Sequence, residues 1–345
     1  MMDKLKVGIA GYGVVGKRRR DYIDDHPALQ TIAVSDITFD GDGRFDNGLL
    51  YFDNYKKLLD QELDALFVCL TNDVAAAATI GGLERGFHVF CEKPPGRDLA
   101  DIAAVRSIAC KRPEQVLKYG FNHRYHDSVK EAYRIVQSGR LGKIINLSGV
   151  YGKSKLISWG QTTWRTERAI AGGGILLDQG IHMVDLLRLF AGEFVDVSSF
   201  ISNDFWNKDV EDNAYAILRT ADGKIAMLHS SATSWRHRFE LQITLSKGAL
   251  VLTGILSSSK SYGDETLTIS SASNDESGDA KEETIYYESD PSWALEVGEF
   301  ADAVISGSNI INGSVNDAYS TMELVYKIYC ADAVWRDKWG LGWQP

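Results

Sequence analysis

The chain has 345 residues, 44% hydrophobic and 24% charged, with a formal net charge of −10. That length accommodates two domains of roughly 100–200 residues each, and the acidic balance excludes the basic footprint of a nucleic-acid binder. No apolar run approaches the ~18 residues of a membrane span, and the start reads straight into a strand-like KVGIAG without the longer apolar segment of a signal peptide, so no membrane partner is expected.

Lys6 to Ala10 reads as a short buried strand. It leads into Gly11-Tyr12-Gly13-Val14-Val15-Gly16 and a helical KRRRDYIDD. In a strand-to-helix setting each glycine of GxGxxG has a task. The first makes the tight turn, the second lets backbone approach a pyrophosphate, and the third allows helix and strand to pack closely. The pyrophosphate is expected on the helix N-terminus, where unpaired N–H groups and the dipole favour negative charge. The next strand, TIAVSD, ends on Asp36, twenty residues beyond Gly16. A carboxylate there accepts hydrogen bonds from a ribose diol and repels a 2′-phosphate, which favours NAD over NADP. The alternative is an ordinary turn residue. Lys17, Arg18, Arg19 and Arg20 are expected as mostly solvated helix face, although an arginine reaching a 2′-phosphate would leave NADP possible.

Helices are expected over 54–60, 73–85 and 98–110, alternating with strands over 65–70, 88–93 and 115–122. This predicts an α/β domain with a mostly parallel sheet and ligands outside the carboxyl ends of its strands. Three of those ends carry polar groups: Thr71 and Asn72, Glu92 and Lys93, and Asn122-His123-Arg124. Lys93 precedes Pro94-Pro95-Gly96, which is expected to hold the backbone extended. The four cysteines are widely spaced and make no metal or redox pattern, and a reducing cytoplasm is expected.

A helix over 128–138 ends at Gly139, and strand-like segments then follow one another with little helix between. They predict an α+β domain with a broad antiparallel sheet, Ala221-Asp222-Gly223 forming one hairpin turn. One sheet face would cover a helix; the other is solvated or an oligomer interface. That helix lies in GGGILLDQGIHMVDLLRLF, residues 172–190, where Ile181, Val184, Leu187 and Leu189 alternate with Asp185 and Arg188. Asp178 and His182, four apart, share one side of a helix. The glycines before it let backbone approach a ligand and leave N–H groups free. A carboxylate and an imidazole so placed are suited to moving a proton; the alternative is a helix-surface pair. Tyr151, Lys153, Trp235, Arg236 and His237 could line a substrate pocket or equally stand on the surface. Residues 257–290 read as a long exposed hairpin. Asp290-Pro291 opens a helix ending at Gly307. Ser314 to Asp317 reads as a capping box, opening a helix with Met322, Val325, Tyr329 and Ala333 on one side.

Three stretches in order and spacing, GIAGYGVVG near the start, CEKPPG at 91–96 and GGGILLDQGIH at 172–182, resemble the glucose–fructose oxidoreductase/inositol dehydrogenase/MocA family over nearly the whole chain. The resemblance implies an N-terminal Rossmann fold over 1–122 and a C-terminal α+β domain over 123–314 with a large, mostly antiparallel sheet. It also implies that a C-terminal helix over 315–336 packs back near the Rossmann domain, and that the large sheet builds a homodimer or homotetramer. The implied activity is NAD(P)-dependent hydride transfer at a carbon of a sugar, cyclitol or nucleotide-linked sugar. The family's Glu-Lys-Pro lysine falls on Lys93, and its Asp-x-x-x-His pair on Asp178 and His182. Trp164-Arg165 looks like a pair that reaches the cofactor in several members. Pro95-Gly96 departs from the bulky-then-small pattern more usual there and leaves the finer substrate class open.

The expected cofactor contacts are Gly11, Tyr12, Gly13, Val14, Val15, Gly16, Asp36, Thr71, Asn72, Glu92, Lys93, Asn122, Trp164 and Arg165. Substrate contacts are expected from Arg124, Tyr151, Trp235 and His237. A base needs a pKa near the working pH, which points to His182. Asp178 either orients that imidazole or binds a neighbouring hydroxyl, and a cationic Lys93 stabilises charge on the reacting oxygen. Arg124, Arg165 and Arg236 could pair with a diphosphate. No metal is expected, because no third ligand accompanies Asp178 and His182 at a recognisable spacing. The alternative is a non-catalytic dinucleotide-binding sensor or scaffold, against which the lysine, aspartate and histidine argue as a set.

Overall fold

The computed structural model describes residues 3–154, 164–256, 262–272 and 279–342. The chain divides into two compact units, one of Met1–Asn122 with Trp293–Met322, the other of His123–Ser292 with Glu323–Pro345.

In the first unit, β1 (Leu5–Ala10), β2 (Leu29–Ser35), β3 (Gly43–Arg44), β4 (Leu50–Phe52), β5 (Ala65–Val68), β6 (His88–Cys91) and β7 (Leu117–Tyr119) form one sheet. Its order is β3-β4-β2-β1-β5-β6-β7. All neighbours are parallel except the short β3–β4 pair, which the sequence did not announce. The crossovers carry α1 (Val14–Asp25), α2 (Tyr55–Leu58), α3 (Asn72–Glu84) and α4 (Leu99–Ala109). β5 is buried along its whole length, as parallel strands covered on both faces are.

The second unit opens with α5 (Asp127–Gln137) and holds eight strands. They are β8 (Ile144–Ser154), β9 (Phe194–Ser202), β10 (Asn213–Thr220), β11 (Ile225–Ser234), β12 (Arg238–Leu245), β13 (Gly248–Thr253), β14 (Glu265–Ala272) and β15 (Ala280–Tyr287). The order is β15-β14-β13-β12-β8-β11-β10-β9, antiparallel except for β8 beside β11. Gly223, at a φ of 93°, turns the β10–β11 hairpin. The polar hairpin is β14–β15, tied by Thr268–Thr284 and Ser270–Glu282 hydrogen bonds; 257–261 and 273–278 of the expected hairpin lie outside the described residues. β15 is an edge strand and largely exposed.

Along β10, Ala214, Ala216 and Leu218 are buried while Tyr215, Ile217 and Arg219 face outward. β11 repeats the alternation, with Ala226 and Leu228 inside and Ile225 and Met227 outside. α6 (Arg168–Ala171) and a π-helical turn (Leu176–Gly180) precede α7 (Ile181–Ala191); the turn packs on β11, and α7 on β8 and β11. On strands β9 to β11, Phe200 is 79% exposed, Ile217 56% and Met227 52%.

α8 (Ser292–Ser306) belongs, beyond its first residue, to the first unit, so the expected second domain of 123–314 is too long. Its Val297, Phe300 and Ala301 complete the core around β1, β5 and β6. The Phe300 ring stands edge-on to Phe67 and Phe90 at 5.3 and 5.9 Å. α9 (Val315–Ala331) starts from a reciprocal capping box, Asp317 N donating to Ser314 Oγ and Ser314 N to the Asp317 carboxylate, each at 3.1 Å. The helix expected over 315–336 breaks at Asp332. That side chain accepts from Val334 N and Trp335 N and caps α10 (Ala333–Trp339), which removes Ala333 from the α9 face.

The largest departure from expectation is on α1. Its buried residues are Gly16, Arg19 and Ile23, one stripe at i, i+3, i+7. Arg19 is not in solvent but fully buried. Its guanidinium sits 4.4 Å from the Phe90 ring centre and 4.2 Å from that of Trp293. Nε donates to Glu92 and Nη2 to Glu296, both at 2.6 Å. Burial, with the nearby Glu92 carboxylate, pushes the Glu296 carboxyl up to about 7 against the pull of Arg19 and Lys118. The folded state therefore holds this proton more tightly than the unfolded chain. The associated stability is complete below the ordinary value of 4.5 and is lost as pH rises through about 7. Urea denaturation at a series of pH values should show the native protein losing stability relative to Glu296→Gln across that interval, then levelling. A difference that stays constant with pH would refute the assignment.

Candidate active site

The three glycines of the first turn do three different things. Gly11 has φ 89°, and a Cβ on it would lie 2.3 Å from the Cys69 carbonyl oxygen. A Cβ on Gly16 would lie 1.9 Å from the Gly11 carbonyl oxygen. A Cβ on Gly13 would meet nothing within 4 Å, so backbone is open to a ligand where the motif needs it. Val14, first residue of α1, is exposed beside it.

Asp36 closes this loop. Its Oδ2 accepts from Tyr12 N at 2.8 Å, while Oδ1 accepts from Thr38 N and Thr38 Oγ1. It is thus a turn residue and a carboxylate at the end of β2 at once. The basic run is largely committed elsewhere. Arg19 is buried, Arg20 binds Asp24 and the Tyr12 hydroxyl, and Arg18 lies over Trp293.

Thr71 and Asn72 follow β5, Glu92 and Lys93 follow β6, and Asn122 follows β7, so the sheet brings all five to its carboxyl edge. Thr71 is the N-cap residue of α3, its hydroxyl on Asp73 at 2.6 Å, and Asn72 is buried as the first helical residue. The Glu92 carboxylate is engaged by Arg19. Lys93 is partly buried and joined to Pro94 by a cis peptide, unlike the plain extended run expected.

In the second unit, the glycine turn before α7 does not offer free N–H groups. Gly174 N and Leu176 N donate to the two oxygens of Glu211 at 2.7 and 2.9 Å, and Ile175 N donates to the Glu211 carbonyl. Tyr329 adds its hydroxyl to the same carboxylate at 2.7 Å. Burial raises the Glu211 pKa in spite of these donors. The glycines are there for contact. A Cβ on Gly173 would meet the Tyr329 hydroxyl at 2.3 Å, on Gly174 the Glu211 carbonyl oxygen at 2.0 Å, and on Gly180 the Ser230 hydroxyl at 2.2 Å.

Asp178 lies in the π turn and His182 in α7, so the pair is not on one regular α-helix. Such turns are frequent at functional sites. α7 is also not amphipathic as read. Asp185 is buried and takes a bidentate pair from Arg124 at 2.7 Å on each oxygen, and Arg188 pairs with Glu193. That grip ties Arg124 to α7.

Arg165 is stacked 4.2 Å from the centre of Trp164, its Nε lying 3.5 Å from the Asp178 carboxylate, which also accepts from Gln179 at 3.1 Å. His182 is buried and stacked on His123, with ring centres 3.7 Å apart and planes within 14°. His123 Nε2 lies 3.2 Å from the Tyr151 hydroxyl. Burial pushes the hydroxyl pKa values of Tyr151 and the neighbouring Tyr262 upward, so both stay protonated at neutral pH. His237 is half-buried with its ring 4.8 Å from that of Tyr262. Trp235 and Arg236 are exposed. Glu211, Tyr262 and the burial of Arg19 were not anticipated, and His123 was expected only as part of the polar end of a strand. For Arg19 the signal was the i, i+3, i+7 spacing with Gly16 and Ile23. Glu211 left none, because its partners lie 37 residues upstream and 118 downstream.

A parallel sheet with an open second glycine, followed by a broad sheet that buries a carboxylate–imidazole turn, defines a dinucleotide-dependent oxidoreductase built from two units. Two family descriptions match the chain: "Oxidoreductase family, NAD-binding Rossmann fold" over residues 5–121 and "GFO/IDH/MocA C-terminal domain" over residues 129–251. The chain belongs to the Gfo/Idh/MocA oxidoreductase family. It is similar to myo-inositol 2-dehydrogenase of Thermotoga maritima, 24% identical with 82% of each chain covered. Levoglucosan dehydrogenase of Pseudarthrobacter phenanthrenivorans is 26% identical over 64% of this chain and 60% of that one. Among solved structures, a levoglucosan dehydrogenase in complex with NADH superposes with a TM-score of 0.84 at 19% identity, covering 96% of this chain and 98% of that one, which shows a shared fold.

The first unit is an NAD-binding domain, and the open position at Gly13 between Gly11 and Gly16 fits the dinucleotide. Among the described residues no helix is long and apolar enough to cross a membrane, and no group of three His, Cys, Asp or Glu could hold a metal ion. The glycines give a paired test. Gly16→Ala should lower the melting temperature by several degrees, because Gly11 backbone stands in the way. Gly13→Ala should leave melting nearly unchanged while weakening NAD binding at least several-fold by calorimetry. Equal effects of both changes on melting would contradict the division of roles.

Proposed function

We propose that the protein oxidises and reduces a secondary alcohol carbon of a free sugar or cyclitol, with His182 as acid/base and Lys93 stabilising charge on the reacting oxygen. The observation that carries this is a buried imidazole next to a buried carboxylate turn in a chain that also holds an NAD cradle. The relatives named as acting on inositol and levoglucosan support the substrate class. The commitment of Arg124 to Asp185 and the approach of Arg165 to Asp178 favour a free polyol over a nucleotide-linked sugar, whose diphosphate those arginines were expected to meet.

Bound NAD supplies the hydride acceptor. The chain supplies the rest. His182 takes the hydroxyl proton in the oxidative direction and returns it in the reductive one, because imidazole combines a usable pKa with both proton states near neutrality. Asp178, held near Arg165 and Gln179, favours the charged imidazole or a neighbouring hydroxyl of the substrate. Lys93 donates to the oxygen on which negative charge develops. Asp36, fixed by Tyr12 N and Thr38, favours the ribose diol of NAD over a 2′-phosphate.

A screen of polyols, sugars and UDP-sugars with each nicotinamide cofactor, read by absorbance, identifies the substrate and tests the Asp36 argument. On the best substrate, His182→Ala and Lys93→Ala should each lower turnover by roughly two or more orders of magnitude with folding intact. Near-normal turnover in both would overturn the roles.

We further propose that the outward face of β9, β10 and β11 joins copies of the chain into a homodimer or homotetramer. Phe200, Tyr215, Ile217 and Met227 form cross-strand neighbours there, a larger apolar patch than a solvated sheet face usually carries. Light scattering should find an oligomer that Ile217→Glu dissociates, while an unchanged mass for Ile217→Glu would rule this face out.

A further inference from the structure

The stack of two imidazoles sets a condition on the proton that His182 handles. His123 and His182 are close to parallel with centres 3.7 Å apart, and both are buried. Two positive charges at that separation in a poorly solvated place repel strongly, so protonating one ring opposes protonation of the other. Interacting sites of this kind titrate as a pair, in two macroscopic steps.

The surroundings add to this. His123 is faced by the Tyr151 hydroxyl at 3.2 Å on its Nε2, by the Phe239 ring at 5.9 Å and by the His126 ring at 5.5 Å. Behind it, His126 Nδ1 meets the buried Glu265 carboxylate at 2.8 Å, and its Nε2 is 3.8 Å from Asp290. Hydrogen bonds from His126 and Ser128 hold the Glu265 pKa below its ordinary value against the effect of burial. Glu265 is thus an acceptor for His126, a buried carboxylate beside the pair. On the other side of the stack, His182 has Tyr151 at 6.2 Å between ring centres and Asp178 in the turn before it, with Arg165 bound to Asp178. Asp178 stands four residues before His182 in the chain.

We propose that His123 is a positioning residue for His182, and that the two stacked rings carry at most one proton between them in the working pH range. His123 holds the plane of the His182 ring, and Tyr151 holds His123. When His182 accepts the hydroxyl proton, His123 must be neutral. When His123 is protonated instead, His182 cannot accept. The proposal rests on the reading of His182 as acid/base for its catalytic meaning, while the shared proton itself does not.

The test is nitrogen-15 NMR of the histidine side chains in the full-length protein across a pH titration, with and without His123→Phe. The phenyl ring keeps the stack and removes the second titrating site. Expected are two steps for the native pair separated by more than about one pH unit, and a single step for His182 in His123→Phe. In kinetics, the acid limb of kcat/KM for polyol oxidation should move to lower pH in His123→Phe, with KM changed less than kcat. Independent titration of the two rings in the native protein, or a pH profile unmoved in His123→Phe, would overturn the proposal. His182→Asn separates the two readings: full turnover in it removes the catalytic role of His182 and leaves the NMR coupling to be judged alone. Loss of turnover in His182→Asn together with independent titration removes only the shared proton.

Discussion

The second unit depends on one buried carboxylate. Glu211 takes two backbone N–H groups from the glycine turn and the hydroxyl of Tyr329. A carboxylate out of water is costly unless its oxygens are satisfied, and here they are satisfied only if the turn stays closed on it. Gly173 and Gly174 follow from that requirement, since any side chain would stand where Tyr329 or Glu211 already is. The π turn and α7 start from this fixed point, which sets where the segments carrying Asp178 and His182 begin. In the first unit Arg19 has a comparable place. It joins α1, which begins at the open glycine, to the residue just before Lys93 and to α8.

What could be read in advance follows the range of the interactions involved. The glycine loop, Asp36 at the end of a strand, the capping box at Ser314 and the hairpin at Gly223 each express their physics within a few residues, and each is found as read. The alternation of β10 and β11 was legible as a sheet with two different faces. The rest depends on partners distant in sequence. In KRRR only the spacing of Arg19 from Gly16 and Ile23 marks the cation that turns inward, and its partners Phe90, Trp293 and Glu296 are distant in sequence. Asp185 and Arg188 look like the polar side of an amphipathic helix, and Arg124 and Glu193, outside the helix itself, are partners to their buried charges. The same holds for α8, whose apolar stripe would suit either unit but fits the aromatic cluster at Phe67 and Phe90.

Several groups expected to meet ligands are held by the protein itself. Arg124 serves Asp185, Glu92 serves Arg19, and Arg165 lies against Asp178. This arrangement costs charge that could have gone to the substrate, but it fixes the rings and carboxylates on which an acid/base step relies. A neutral polyol, the substrate class proposed, needs orientation more than it needs counter-charge from these arginines.

The edge strand β15 carries a different consequence. Its sequence AKEETIYY places Lys281, Glu282 and Glu283 on an exposed edge strand. An open strand of that length would be a template for a further strand from a neighbouring molecule, and charge on it is how natural sheets discourage such addition. The large sheet therefore has one border that refuses growth in its own plane.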